Sequence, residues 1–493
     1  MKQKSTIIAM YLPQFHRVPD NDKWWGEGFT DWVSAKNAKP LFEGHNQPHI
    51  PLNENYYDLL QKKTMKWQAQ LMHQYGVDGM CIYHYWFKDG RQILEKPAEN
   101  LLNWKDIDMP FCFCWANETW ARSWSNLSEK NAWADAYEKN SGEETGILLE
   151  QKYGTEIDWE KHFNYLLSFF KDSRYIKVDN KPLFLIYKTS KISRIDAMLV
   201  FWNELALRNG LDGIYCIGAN ASNVPDEVLD GKLVIEPSAS IGNTLGDTSD
   251  GVKTVQYKDL WDNVLSYQEI GGKVYYGGFV GFDDTPRRGK RGTCVTNGSP
   301  ELFKKYLLQL LKKNILCGNE ITFINAWNEW GEGMHLEPSV RDSYSYLEKM
   351  LEAKKEIENV SIEYELKMPE IIPKDTLYFR TLHHWFELKE KNISLNNYFK
   401  ENIFRKIAVY GYGIFAQHLM EELRDSETIV EYIIDKRDGI CAKKPVYLPQ
   451  DPLPDVDAVI VCSFYYYKEI FLELKKKGMD NVISFETIIN ELR

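Results

Sequence analysis

Eight apolar runs rich in β-branched and aromatic residues recur between residues 6 and 330, most of them separated by a helix-like segment. They are 6–15 (TIIAMYLPQF), 79–87 (GMCIYHYWF), 110–118 (PFCFCWANE), 182–188 (PLFLIYK), 213–220 (GIYCIGAN), 232–236 (KLVIE), 274–284 (VYYGGFVGFDD) and 321–330 (ITFINAWNEW). Segments such as TMKWQAQLMHQYG and PELFKKYLLQLLKKN lie between them. Alternating strand and helix patterns imply parallel pairing, because each helix returns the chain to the same end of the sheet. Eight such units predict an α/β protein built on a closed (β/α)8 TIM-type barrel, with a doubly wound open sheet as the alternative. In a barrel of this kind function gathers where the strands end. Here the ends read YLPQFH, YHYWF, CWANE, EPS, FDD and NEWGE, so hydrophobic starts give way to polar and aromatic finishes.

The chain has 493 residues, too many for one ordinary core. The barrel is expected over 1–355 and a charged helical connector over 356–402. A second strand–helix pattern begins at Lys406 (KIAVYGYGIFAQHLMEELRD, IVEYIIDK, DAVIVCSF, NVISF) and predicts a small Rossmann-like α/β domain over 403–493. The net charge of −11 argues against a nucleic-acid partner. No 18-residue apolar run is present, so no transmembrane segment is expected. The N-terminal apolar stretch is too short for a signal peptide. The eight cysteines are scattered through hydrophobic stretches without a Cys-x-x-Cys, and read as reduced thiols of a cytoplasmic protein with no metal site. Aromatic residues make up 14% of the chain. Such a content suits either large cores or a cleft whose rings pack on the C–H faces of sugars.

The stretch NAWNEWGEG (325–333) sets Glu329 and Glu332 three apart. In a continuing strand they would point to opposite faces. Gly331 and Gly333 free the backbone to turn, and a tight turn brings both carboxyls to one cleft. Two carboxyls in one apolar-walled site repel as anions, so one keeps its proton and the other ionises. Glycosidic cleavage uses such a pair; the structural alternative is a helix cap or an arginine partner.

The motifs AMYLPQFH, NDKWWGEGFTDW, KPLFEGHNQPHIP, YHYWF, FCFCWANETW, DSRYIKVDNKPLFLIY, GFDDTPRRG and NAWNEWGEGMHLEP follow one another in order. Through them, over roughly residues 5 to 350, the chain resembles the glycoside hydrolase family 99-like proteins, specifically the WbsX-like group of polysaccharide biosynthesis. The resemblance implies a (β/α)8 barrel and kinship with retaining endo-acting α-mannosidases, which act through a 1,2-anhydro sugar. Carried over by motif, Glu329 is the base that deprotonates the 2-hydroxyl, and Glu332 protonates the leaving oxygen. No cofactor is implied for the barrel.

Further substrate contacts are expected at the strand ends: Tyr11 and Gln14, then His84, Tyr85 and Trp86, then Trp115, Asn117 and Glu118. Asn325, Trp327 and Asn328 join them from the last run. Trp24 and Trp25 form either a subsite wall or a packed loop. Asp283, Asp284 and Arg287 lie in GFDDTPRRGKRG, whose basic run Arg287, Arg288, Lys290, Arg291 either holds an anionic group or is a solvated loop. In the second domain, Gly411, Gly413 and Ala416 fit G-x-G-x-x-A after a strand, with Asp435 ending the next strand. This pattern fits a nucleotide-binding turn or a docking module. The function expected is retaining endo-type hydrolysis of an oligosaccharide, a polysaccharide or a lipopolysaccharide-type glycan. Glycosyl transfer in surface polysaccharide assembly and a non-catalytic glycan-binding scaffold are the alternatives.

Overall fold

The computed structural model describes residues 5–121, 147–219, 221, 228–267, 272–359, 374–391, 393–437, 439–440, 442–479 and 481–492. The chain divides into two compact units, Met1–Tyr364 and Glu365–Arg493.

The first unit is a closed parallel barrel. Its strands are β1 (Thr6–Tyr11), β2 (Gly79–His84), β3 (Phe111–Trp115), β4 (Lys181–Ile186), β5 (Tyr215–Ala219), β6 (Gly231–Val234), β7 in two pieces (Val274–Tyr276 and Gly278–Phe279) and β8 (Ile321–Asn325). Each pairs in parallel with its sequence neighbour from β1 to β6. β1 also pairs with β8 (Thr6↔Ile321). The split strand completes the ring, Val274–Tyr276 lying against β6 and Gly278–Phe279 against β8. All eight expected strands form, and the barrel prevails over the open sheet. Both faces of such strands are buried, one toward the barrel axis and one under the helices, hence the unbroken apolar runs. Ile7, Ile8, Phe113, Leu185 and Ile324 are all buried, each contributing roughly 1.5–3 kcal/mol.

The helical layer includes α1 (Lys62–Gln74), α2 (Lys96–Asn103), α3 (Glu156–Phe170), α4 (Ile195–Arg208), α5 (Tyr257–Ser266), α6 (Pro300–Leu316) and α7 (Ser345–Asn359). α6 shows how local sequence starts a helix. The Ser299 hydroxyl accepts from the Leu302 N–H (3.2 Å), and Pro300 occupies a first-turn position where no N–H is needed. No helix among the described residues is long and apolar enough to cross a membrane.

The second unit holds a five-stranded parallel sheet: β9 (Lys406–Tyr410), β10 (Ile429–Ile434), β11 (Val446–Tyr447), β12 (Ala458–Val461) and β13 (Val482–Ser484), in the order 11-10-9-12-13. Alternation along β9 serves two cores. Ile407 and Val409 pack on one face with Phe415 and Phe485, while Ala408 and Tyr410 pack on the other with Ile470 and Leu474. Of the segment expected as a connector, residues 360–373 lie outside the described residues. Helices Lys374–Glu390 and Asn396–Glu401 follow, and their Trp385, Leu388 and Phe399 belong to the first of these cores.

Candidate active site

Beyond β8 the chain makes a small hairpin. Asn328–Glu329 pairs antiparallel with Met334–His335 (Asn328↔His335, Glu329↔Met334), and one 3-10 turn, Trp330–Glu332, joins the arms. Gly333 closes the turn with φ +62°. The expected bend therefore occurs, and Glu329 and Glu332 both line a cleft of about 560 Å³ at the strands' C-terminal mouth. Gly331 is required by close approach, since a Cβ there would lie 2.7 Å from Asp31 Oδ2 and 2.8 Å from Arg287 Nε. Gly331→Ala is expected to displace this pair and to lower the melting temperature, since the neighbours that must shift are ion-paired and mostly buried. Thermal melts alongside an unchanged far-UV circular dichroism spectrum check it.

Arg287 organises the floor. Its Nη2 lies 3.0 Å from Asp31 Oδ1 and 3.1 Å from Glu329 Oε2, and its Nη1 makes a short contact with Glu332 Oε1. Asp31 also accepts from the Gly331 N–H (3.1 Å), tying the turn to the short helix Asp31–Asn37. Three carboxyl groups thus face one guanidinium, so the cluster would carry excess negative charge if all were ionised. Glu329 keeps the proton: burial pushes it up to about 8, with Arg287 pulling down and Glu332 and Asp31 pushing up. The three acids hold Arg287 above its usual value against its own desolvation, so it stays charged.

The walls are aromatic and polar. Tyr83, Tyr85, Tyr187, Trp25, Phe29 and Trp120 line the cleft, together with Gln14, Glu118 and Asp284. Burial raises the Glu118 carboxyl and pushes Asp284 up to about 6. Trp24, by contrast, is buried, its ring 6.1 Å from that of Trp120.

Gln14, Tyr85, Glu118, Asp284, Arg287, Glu329 and Glu332 therefore converge as expected, but nine other expected contacts do not line this cleft. Strand parity explains several. Tyr83 and Tyr85 face the cleft, so His84 and Trp86 point outward beneath α3. There the Nε2 atoms of His84 and His162 share a hydrogen bond (2.9 Å), and Trp86 stacks on His162 with centroids 4.5 Å apart. Trp115 is likewise turned away, its indole N–H donating to the Trp86 carbonyl (3.0 Å). Tyr11 is fully buried and donates to Gln68 Oε1 (2.8 Å). Three asparagines clamp backbone instead of sugar hydroxyls, which fits a loop-rich rim with many main-chain groups to satisfy. Asn117 holds the N–H and carbonyl of Lys188, Asn328 those of Leu12, and Asn325 donates to the Glu236 carbonyl. Trp327 is fully buried on Glu337 (2.9 Å). Asp283 faces a second cleft of about 380 Å³ and accepts from His45 (2.7 Å), Gln47 (2.6 Å) and the Thr285 hydroxyl (2.6 Å). The basic run is engaged within the chain: Arg287 as above, Arg288 on Asp284 (3.1 Å) and Lys290 on the Asp250 carbonyl (2.8 Å).

Residue-level reading passed over Asp31, Tyr83 and Tyr187. Parity along β2 would have found Tyr83 once Tyr85 was placed. Asp31 lies in the FTDW motif, but nothing local signals a partner 256 residues away.

His45, Asp283 and Cys294 present ligand-type atoms within 4.8 Å of one another. However, the Leu41 N–H donates to His45 Nδ1 (3.0 Å), so the ring proton sits on Nε2 and points at Asp283. That nitrogen has no lone pair to give a metal. In the second unit Gly411 has φ +86°, and its loop opens the helix Ile414–Glu422. Asp435 accepts from the Tyr412 N–H (2.7 Å) and takes Arg437 on both oxygens (3.0 Å each), so the carboxylate expected to meet a ribose is engaged by its own loop.

Fold and site together define a TIM-type barrel protein with paired acids in an aromatic-walled cleft. Residues 7–350 match the family described as "Glycosyltransferase WbsX", and the chain belongs to that family. It is 30% identical over 365 residues to the uncharacterized protein WxcX from two strains of Xanthomonas campestris pv. campestris, covering 71% of this chain. It spans about half (49%) of the length of those curated relatives. Among solved structures it is similar to the GH99 endo-alpha-mannosidase from Bacteroides thetaiotaomicron, with 16% identity, TM-score 0.44, and coverage of 72% of this chain and 98% of that one. A glycoside hydrolase-like protein is similar at 12% identity and TM-score 0.43, over 71% and 94% of the two chains.

Proposed function

We propose that the barrel is a retaining endo-type, α-mannosidase-like glycoside hydrolase acting on a polysaccharide or lipopolysaccharide-type glycan. The observation that carries this reading is the pair Glu329 and Glu332 on one guanidinium, at the floor of an aromatic-walled cleft with one proton among the acids. In the first step, once the shared proton has passed from Glu329 to Glu332, Glu329 takes the proton of the sugar 2-hydroxyl while that oxygen attacks C1, and Glu332 gives its proton to the departing glycosidic oxygen. In the second, Glu332 takes a proton from water, the water oxygen bonds to C1, the 1,2-anhydro ring opens, and Glu329 returns its proton to O2. Net configuration is retained. The free thiols of the seven described cysteines support a reducing, cytoplasmic site of action.

The family's description favours a second reading, glycosyl transfer in surface polysaccharide assembly. The cleft's charge opposes it. Five carboxyl groups line the cleft against Arg287 and Arg288, both already paired with acids. A diphosphate donor would enter that field unfavourably. A glycan-library screen with and without nucleotide sugars tests both readings. Product formation without a nucleotide sugar supports hydrolysis, and formation only with one supports transfer.

The pH profile tests the pair. Cleavage needs one carboxyl ionised and the other protonated, so kcat/KM is expected to fall as pH rises through about 8, where the pair gives up its one proton. A rate that holds or rises through that pH would mean that no proton from this pair reaches the leaving oxygen. In the second unit we read the strand order as Rossmann-like. Nucleotide binding there requires the Asp435–Arg437 pair to open, and calorimetry with dinucleotides and nucleotide sugars tests it.

A further inference from the structure

Glu337 is 2% exposed, just past the acid-bearing hairpin. Four donors reach it. Gln68 Nε2 (2.7 Å) and Trp327 Nε1 (2.9 Å) donate to Oε1, while the Tyr57 hydroxyl (2.8 Å) and Trp330 Nε1 (2.8 Å) donate to Oε2. No lysine, arginine or histidine side chain pairs with it among the described residues. Burial pushes its carboxyl up to about 7 against these donors. The indole nitrogens are donors only, and Gln68 already uses its carbonyl oxygen to accept from Tyr11, so a proton on the carboxyl could be shared only with the Tyr57 hydroxyl. Each oxygen therefore serves one indole as an acceptor in either protonation state.

Its partners matter more than its burial. Trp327 and Trp330 lie on either side of Glu329, and Trp330 opens the turn that ends at Glu332. The Trp330 ring also stacks on His335 with centroids 3.7 Å apart, and His335 belongs to the opposite arm of the hairpin. Both arms of the hairpin are thus gripped through one carboxylate.

We infer that Glu337 is a positioning residue, whose carboxylate holds the two indoles beside Glu329 and thereby sets where both acids of the turn point. The inference rests on the reading of Glu329 and Glu332 as the acting pair. Glu337→Gln keeps the volume but replaces one oxygen by a donor-only NH2. Whichever way the amide lies, one indole N–H loses its acceptor, because each oxygen serves one tryptophan.

Two measurements on the full chain test this. The first is kinetic: E337Q lowers kcat about 10²-fold with KM within about threefold, the signature of misplaced catalytic groups with intact binding. The second needs no substrate. The Glu329 carboxyl is titrated by 13C NMR, assigned with E329Q. In E337Q its midpoint moves down, because a loosened turn admits water to a carboxyl that burial holds up. Tyr57→Phe removes one donor without touching an acid and gives smaller shifts in the same directions. A lower melting temperature for E337Q with kcat and the Glu329 midpoint unchanged overturns the inference. Should E337Q not fold, unchanged kcat and midpoint in Y57F overturn it equally. If the wild type cleaves no glycan but the midpoint still moves, the hydrolase reading fails and the positioning role stands.

Discussion

Glu329→Gln and Glu332→Gln are each expected to lower turnover by about 10²–10⁴-fold, the usual worth of general acid–base assistance, while substrate affinity changes little. Glutamine fills the same volume and still hydrogen-bonds, but it cannot exchange a proton. In the mechanism proposed both carboxyls act in one transition state, and they share Arg287, so the double variant should be barely slower than either single one. The two roles separate with an activated aryl leaving group that departs without a proton. Glu332→Gln then regains much of its rate and Glu329→Gln does not. Rescue of Glu329→Gln instead would exchange the roles, in line with the proton that Glu329 holds in the unliganded cleft. Near-normal turnover in both variants would favour the glycan-binding scaffold.

Arg287→Gln is expected to be the most destabilising single change at the site. It leaves Asp31, Glu329 and Glu332 without the cation they share, and breaking a mostly buried pair in this way costs about 3–5 kcal/mol. The effect depends on pH with a definite sign. Without the guanidinium, the folded-state pKa of Glu329 rises further above its unfolded value. The native state then binds more protons than the unfolded one, and stability falls as pH rises. Melting curves of variant and wild type should therefore lie furthest apart above about pH 8, where Glu329 ionises in the wild type, and draw together toward pH 5. A gap independent of pH would mean that Arg287 stabilises by packing alone. Arg287→Lys should recover part of the stability but little of the turnover, because one ammonium cannot reproduce the planar fork that meets three acids.

The barrel was legible because its signals are local. Each apolar run is long enough for a strand, most intervening segments have helical periodicity, and eight such units admit few closures. The bend at Glu329–Glu332 was legible for a similar reason, since Gly331 and Gly333 permit a turn that a strand would not make. The motifs YHYWF and CWANE marked the rim, yet which of their side chains face the axis was not local information. In a parallel barrel both faces of a strand are buried and apolar, so alternation shows that His84 and Tyr85 differ without showing which one looks inward. Packing of His84 and Trp86 against His162 on α3 settles that parity. The pairing of Arg287 with Asp31, and the capture of Tyr57, Gln68, Trp327 and Trp330 by Glu337, join residues up to 280 positions apart. Ion pairs and buried hydrogen bonds leave no periodic trace in a chain. Their geometry comes into being only when the first strand closes against the last, which is why the acids could be named from sequence and the groups that aim them could not.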